Sequence, residues 1–78
     1  MYVYRLKSEK FPDQVYVGIT SDIQRRLQSH NNGQSPHTSK YKPWKIQCFV
    51  WFEDRDKAYA FEKYLKSGSG RAFSSRHF

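Results

Sequence analysis

Two short runs of aromatic and β-branched residues at the start of the chain constrain its fold more than any other feature. Residues 2–6 are Tyr-Val-Tyr-Arg-Leu and residues 15–19 are Val-Tyr-Val-Gly-Ile, compositions that are typical of β-strands. Residues 7–14 between them are polar and contain a Pro-Asp turn signal, so the pattern predicts a β-hairpin with a long loop. On the second strand Tyr16 and Gly18 share one face, and the glycine leaves room for another group to approach.

The next segments alternate between helix, loop and strand signals. Ser21 and Gln24 have the spacing of a capping box, which predicts a helix that ends near Asn31. Residues 33–44 contain Gly and Pro among polar groups and predict a loop. Residues 46–52 form an apolar run that a single Gln interrupts. This run predicts a strand that is covered on both faces.

A second helix is predicted after this strand. Asp54 is a suitable N-cap for it, and Ser67-Gly68 is typical of a helix end. Residues 71–78 are predicted to form either a short terminal helix or a packed tail. The order β-β-α-β-α predicts a single α+β domain over residues 1–78, in which helices pack against three strands.

The balance of charge indicates the class of partner. Fourteen Lys and Arg against seven Asp and Glu leave a net charge of +7. A domain this basic is typical of nucleic-acid binding, although a plain basic surface, or contact with ribosomes or anionic lipid, would also account for it. No apolar run approaches the roughly 20 residues that span a bilayer, and no signal segment follows Met1. We therefore expect a cytoplasmic protein without membrane association.

Cysteine usage excludes two other classes of small domain. Cys48 is the only cysteine, so internal disulfides and multi-cysteine zinc sites are excluded. Its neighbours Phe49 and Val50 are apolar. We therefore expect Cys48 to be a buried, inert thiol.

Three sets of residues do not fit a plain apolar core. Helical spacing places Arg26 and His30 on the inward stripe of the first helix, and it places Glu62 on that of the second. Tyr4 and Tyr16 would face each other across the hairpin. Each set has an ordinary alternative: Glu62 could pair with Lys66, Arg26 could extend to solvent, His30 could occupy a helix end, and the tyrosines could simply pack.

Taken together, these residues are typical of phosphodiester hydrolysis. A single carboxylate such as Glu62 suffices for Mg²⁺ when substrate phosphate and water complete its coordination. Arg26 would stabilise charge that develops on phosphorus, and His30 changes its protonation near neutral pH. An unperturbed tyrosine is a poor base at pH 7, so Tyr4 or Tyr16 would need a cationic neighbour to act as one.

The chain resembles the GIY-YIG endonuclease family over nearly its whole length. Tyr2-Val3-Tyr4 is similar to the first signature of the family, and Tyr16-Val17-Gly18 is similar to the second. Residues 20–27 resemble the helix that follows, with Arg26 at the catalytic arginine position, and Glu62 matches the metal-binding glutamate. His30 stands where members carry His or Tyr. The chain looks most like the short, stand-alone bacterial members.

The resemblance implies a three-stranded antiparallel sheet flanked by helices, one divalent cation and cleavage at a single site. The chain departs from the family at three positions. Tyr2 replaces the first glycine, and Ile19 stands where the excision-repair incision subunit has a lysine. Ser74 stands where many members carry an asparagine.

The leading interpretation is a metal-dependent endonuclease that uses Mg²⁺ or Mn²⁺ and acts on DNA in repair or recombination, with branched, damaged or single-stranded DNA as candidate forms. The catalytic residues would be Tyr4, Tyr16, Arg26, His30 and Glu62, with Glu62 as the metal ligand. We expect a monomer or weak homodimer whose DNA-backbone contacts come from Lys40, Lys42, Lys63, Lys66, Arg71 and Arg76. The alternatives are a non-catalytic nucleic-acid-binding module on the same scaffold and a ribosome-associated basic protein.

Overall fold

The computed structural model describes all 78 residues as three strands and four helices. In chain order these are β1 (Tyr2–Ser8), β2 (Val15–Thr20), α1 (Ile23–Asn31), α2 (Pro36–Ser39), β3 (Trp44–Trp51), α3 (Arg55–Lys66) and α4 (Gly68–His77). The predicted α+β class and its three-stranded antiparallel sheet are confirmed. Helix α2 is added to the predicted order, and α4 lies where the sequence left a terminal helix or a packed tail open.

Strand β1 lies in the middle of the sheet, in the order β2-β1-β3. Its antiparallel pairing with β2 is regular, whereas its pairing with β3 contains a bulge between Arg5 and Leu6, opposite the unpaired Gln47. Because side chains alternate between the faces of a strand, Val3 packs with Ala58 of α3 on one face. Tyr4 belongs to the cluster that packs under α1 on the other face. The central strand therefore contributes to two separate cores.

The prediction that residues 46–52 are covered on both faces is wrong. Strand β3 lies at the edge of the sheet, and Phe49, Val50 and Trp51 are exposed. Cys48 between them is half-buried rather than buried, and this partial burial raises the pKa of its thiol. An apolar run alone does not distinguish a buried strand from an edge strand with apolar side chains that face solvent.

Helix α1 begins after Asp22, so the predicted capping box of Ser21 and Gln24 is wrong. The Asp22 carboxylate accepts a hydrogen bond from the Arg25 N–H at 3.1 Å, and the Thr20 hydroxyl oxygen accepts one from the Asp22 N–H at 3.1 Å. A carboxylate at this position also faces the positive end of the helix dipole. The predicted helix end near residue 31 is confirmed.

The predicted loop 33–44 contains the one-turn helix α2, which starts at Pro36. The Asp54 N-cap and the end of α3 before Ser67 are confirmed. Residues 71–78 take the helical alternative, in a helix that already begins at Gly68. A Cβ at Gly70 would overlap the backbone of Tyr64, so this glycine allows α4 to pack closely against α3. None of the four helices has the length and apolar character needed to cross a membrane.

Candidate functional site

The candidate site is built around Tyr4, where β1 passes under α1. Tyr4 lies directly opposite Gly18 on β2, and its hydroxyl occupies the space that a side chain at residue 18 would need. The predicted approach of another group to this glycine is therefore confirmed. Only 3% of Tyr4 is exposed, so its hydroxyl requires partners within the protein.

His30 of α1 is the first partner of the Tyr4 hydroxyl, at 3.0 Å from its Nε2. The other ring nitrogen, Nδ1, lies 2.8 Å from Thr38 Oγ1. Because the Thr38 hydroxyl donates to the carbonyl of Ser35 at 3.4 Å, its oxygen is left to accept from Nδ1–H. Nε2 then carries no proton and accepts from the Tyr4 O–H.

The protonation of His30 follows from its surroundings. The residue is 0% exposed. Burial and, to a smaller extent, the charge of Arg26 lower the pKa of His30 to about 4. The imidazole is therefore neutral at pH 7. A direct contact between His30 and solvent is excluded, so its predicted part in proton transfer is limited to a relay through Tyr4.

Arg26 is the second partner of the Tyr4 hydroxyl and lies one helical turn before His30. Its Nε donates to Tyr4 Oη at 3.3 Å. This hydrogen bond is the main reason why the pKa of Arg26 is raised, with a smaller contribution from Tyr16. Burial raises the pKa of Tyr4 above its ordinary value more than Arg26 lowers it. The Tyr4 phenol is therefore protonated at neutral pH.

Tyr16 and Glu62 complete the cluster from the sides of β2 and α3. The Tyr16 ring centroid lies 4.8 Å from that of His30 and 6.2 Å from that of Tyr4. Lys66 Nζ lies 5.8 Å from the Tyr16 ring centroid and 3.3 Å from Glu62 Oε2. The Glu62 charge is also close enough to contribute to the raised pKa of Tyr4.

The structure thus brings the five predicted side chains together from four elements. It also places Lys66 beside Glu62, as the ordinary alternative for that residue expects. Thr38 also belongs to this cluster, but it was not predicted from the sequence. Because Thr38 reaches His30 from the separate helix α2, no local sequence pattern indicates the contact. The catalytic roles of the five residues remain predictions.

An open groove of about 740 Å³ begins beside Tyr16. Four cationic side chains and only one acidic side chain, that of Asp13, line it. Ser74 also lines the groove, and its hydroxyl is buried without a hydrogen-bond partner in the protein. The four cationic residues are Arg5, Lys7, Lys66 and Arg71.

Two of the residues predicted to contact DNA, Lys66 and Arg71, therefore share this groove. Lys40 and Lys42 are exposed and follow α2, while Lys63 is exposed on α3. None of these three lysines lines the groove. The exposed Arg76 also lies outside the groove lining.

The single carboxylate of the cluster fits a divalent cation such as Mg²⁺. Glu62 provides the carboxylate of the cluster, and no group of three or more His, Cys, Asp or Glu side chains could hold an ion by itself. Mg²⁺ commonly keeps several waters and binds through one or two carboxylates and substrate phosphates. The Glu62 side chain is 19% exposed, which suits this mode once Lys66 releases the carboxylate.

This arrangement is typical of an enzyme that acts on phosphodiesters, and comparison with known proteins identifies its family. The model of the GIY-YIG catalytic domain matches residues 1–75. The chain belongs to the GIY-YIG family, and the prediction of an enzyme of the GIY-YIG nuclease type is confirmed at the level of the family. No solved structure matches the chain significantly.

Relatives come from both fungi and bacteria. The chain is 35% identical over 82 residues to the structure-specific endonuclease subunit SLX1 of Debaryomyces hansenii, a match that covers 96% of this chain and 22% of that protein. It is 35% identical over 66 residues to the UPF0213 protein CPE1444 of Clostridium perfringens, covering 83% of this chain and 69% of that protein. It is 45% identical over 51 residues to the structure-specific endonuclease subunit slx1 of Schizosaccharomyces japonicus, a match that covers 60% of this chain and 19% of that protein. The chain spans about a fifth of these SLX1 proteins.

Proposed function

We propose that this domain is a divalent-metal-dependent endonuclease that hydrolyses phosphodiester bonds in DNA. The observation that carries the proposal is the convergence of Arg26, the two tyrosines and Glu62 on one cluster beside a basic groove. The family of the chain and the names of its SLX1 relatives, which are structure-specific endonuclease subunits, support this choice. A place in DNA repair or recombination and a cytoplasmic location remain predictions.

Arg26 would stabilise the charge that develops on the scissile phosphate. Its Nε is held by Tyr4, so the guanidinium is oriented before the substrate arrives. Such preorganisation matters because fixed donors require no rearrangement at the moment of reaction. Tyr4 and His30 would therefore be positioning residues for Arg26, and Tyr4 would pass a proton to His30 only transiently, because the pKa of His30 is about 4.

Tyr16 is better placed than Tyr4 to contact the attacking water. It is half-buried and lines the groove, whereas Tyr4 is almost completely buried. Lys66 Nζ lies 5.8 Å from the centroid of its ring, so a positive charge would stand near a water that the Tyr16 hydroxyl orients. Glu62 would hold Mg²⁺ or Mn²⁺, which would polarise the phosphate and stabilise the leaving oxygen when bound.

The basic groove lies mainly on the face of the sheet that α3 covers and meets the cluster at Tyr16 and Lys66, so it would hold the DNA backbone where the strand continues past the edge strand β2. Lys7 and Arg71 would contact phosphates. The exposed Lys40, Lys42, Lys63 and Arg76 would add contacts outside the groove.

The test is an incubation of purified protein with supercoiled, single-stranded and branched DNA, in Mg²⁺, in Mn²⁺ and with chelator. We expect cleavage with metal only, and we expect Arg26→Ala to reduce it about 100-fold or more. Arg55→Ala removes an exposed arginine at the start of α3, which lines neither the basic groove nor the surface around Arg26, and should cleave normally. Salt-sensitive binding without cleavage in every condition would favour the alternative, a non-catalytic binding module.

A further inference from the structure

Three aromatic side chains form an exposed patch beside the candidate site. Tyr2, Phe49 and Trp51 make up this aromatic platform, in which the Tyr2 ring centroid lies 5.5 Å from that of Phe49 and 4.9 Å from that of Trp51. Phe49 is 54% exposed and Trp51 is 57% exposed. Large aromatic side chains usually contribute to the core of a domain this small. The exposure of about half of Phe49 and of Trp51 to solvent therefore requires an explanation.

The platform lies on the same face of the sheet as Tyr4. Phe49 is the Cα partner of Tyr4 across β1 and β3, and Trp51 is the partner of Tyr2. Tyr2 is two residues from Tyr4 on one strand, which separates them by about 7 Å along the sheet. Arg26 contacts the Tyr4 hydroxyl on this same face, so a DNA strand that runs from a phosphate at Arg26 along the face towards β3 would bring a neighbouring nucleotide to these rings.

We infer that the platform stacks unpaired bases that flank the scissile phosphate, so that the preferred substrate has single-stranded DNA at the cleavage position. This inference rests on the proposed function and specifies its substrate. Aromatic rings stack on any base without regard to sequence, whereas the bases of an intact duplex are already stacked on each other. The net charge of +7 on the chain complements a polyanion.

Two features of the structure disfavour a second copy of the chain as the occupant. The first is the same net charge of +7, which would make two copies repel each other. The second is the shape of the edge strand: β3 carries an exposed Lys45 and a bulge beside Arg5. Both devices protect a sheet edge against pairing with another strand.

The test measures binding of the uncleaving variant Glu62→Gln to single-stranded oligothymidine and to a blunt duplex of the same length. Trp51 fluorescence reports on stacking, because the other tryptophan, Trp44, is buried and its Nε1 donates to the carbonyl of Thr38 at 2.8 Å. We expect the single strand to quench this fluorescence more than the duplex does. Trp51→Phe should remove the quenching and keep the affinity.

Truncation of the platform in the Glu62→Gln background provides the second readout. We expect Phe49→Ala and Trp51→Ala each to weaken binding of the single strand about fivefold or more, with little effect on the duplex. Tyr59→Ala removes another exposed aromatic residue, which is 44% exposed on α3, and should bind both DNAs normally. The truncated side chains are exposed, so circular dichroism should show intact folds.

Three outcomes would overturn the inference. The first is that all variants bind the single strand and the duplex equally well. The second is that both DNAs quench Trp51 fluorescence equally. The third is that the platform variants lose a dimer in ultracentrifugation while their DNA binding is unchanged. The proposed nuclease function is tested separately from the platform. It fails only if the unmutated protein cleaves DNA neither with Mg²⁺ nor with Mn²⁺. Cleavage that proceeds equally on blunt duplex and single strands would leave the nuclease in place and contradict the platform.

Discussion

The Tyr4 hydroxyl and His30 Nε2 lie 3.0 Å apart in the interior of the protein, and this hydrogen bond links the middle strand to helix α1. His30 must be neutral to accept it, because its Nδ1 already carries the proton that it donates to Thr38. The protonation of one buried imidazole therefore determines whether Tyr4, and through it Arg26, keeps its position.

This linkage predicts an acid-sensitive fold. The pKa of His30 is about 4 in the folded protein and about 6.5 in an unfolded chain. The unfolded state therefore binds the proton first as pH falls, so the stabilisation from neutral His30 is complete above pH 6.5 and is lost as pH approaches 4. We expect His30 to contribute a decrease of about 2–3 kcal/mol in the free energy of unfolding between pH 7 and 4.

Two measurements check the pH prediction. Denaturant unfolding should show a weaker pH dependence for His30→Gln than for His37→Gln, which alters an exposed histidine on α2. An NMR titration should show that the His30 ring takes up its proton only near pH 4. Titration of this ring near pH 6.5 would contradict the buried neutral imidazole.

Gly18→Ala should damage the site although it adds one methyl group. The Cβ of the alanine would overlap the Tyr4 hydroxyl and approach Tyr16 Cε2 to 2.9 Å, so the Tyr4 hydroxyl must leave the position in which it accepts from Arg26. We expect a loss of about 1–3 kcal/mol in stability and a cleavage rate at least tenfold lower in the folded protein. Gly68→Ala is the matched control, because a Cβ there meets no atom within 4 Å. Equal activity of the two variants would show that the position of Tyr4 is unimportant.

Periodicity predicted the inward stripe of each helix well, because burial repeats along a helix at fixed spacing. His30, Arg26 and Glu62 all lie where that spacing places them. Contacts between distant segments could not be read in this way. The pairing of His30 with Thr38 depends on how α2 packs, and the exposure of Phe49 depends on the position of β3 at the edge of the sheet.

Lys66 should compete with a cation for Glu62. The pair is separated by 3.3 Å, and half of the Lys66 side chain is exposed, so the interaction is weak. We expect Lys66→Met to tighten Mn²⁺ binding in the absence of DNA by up to about fivefold, measured by calorimetry. Glu62→Gln should abolish that binding. Unchanged affinity in Lys66→Met would mean that the ammonium does not oppose the ion.

The basic groove should determine the salt dependence of DNA binding. Each lysine or arginine that contacts a phosphate releases about one counterion, so Lys7→Gln or Arg71→Gln should reduce the salt slope by about 1. Lys57→Gln alters an exposed lysine on α3 outside the groove and should leave the slope unchanged. Identical slopes for all three variants would place the DNA backbone elsewhere.

The most direct test of the central claim is the single-turnover cleavage rate of one labelled DNA substrate by Glu62→Gln and by Glu53→Gln. Both changes neutralise one carboxylate, but Glu53 is exposed between β3 and α3, whereas Glu62 lies beside Lys66 and Tyr16 in the candidate site. We predict that Glu62→Gln cleaves at least about 100-fold more slowly, because in the proposed function this carboxylate would hold the metal that activates the phosphate. Glu53→Gln should retain the rate of the unmutated protein. Cleavage by Glu62→Gln at that same rate would contradict the assignment of the active site.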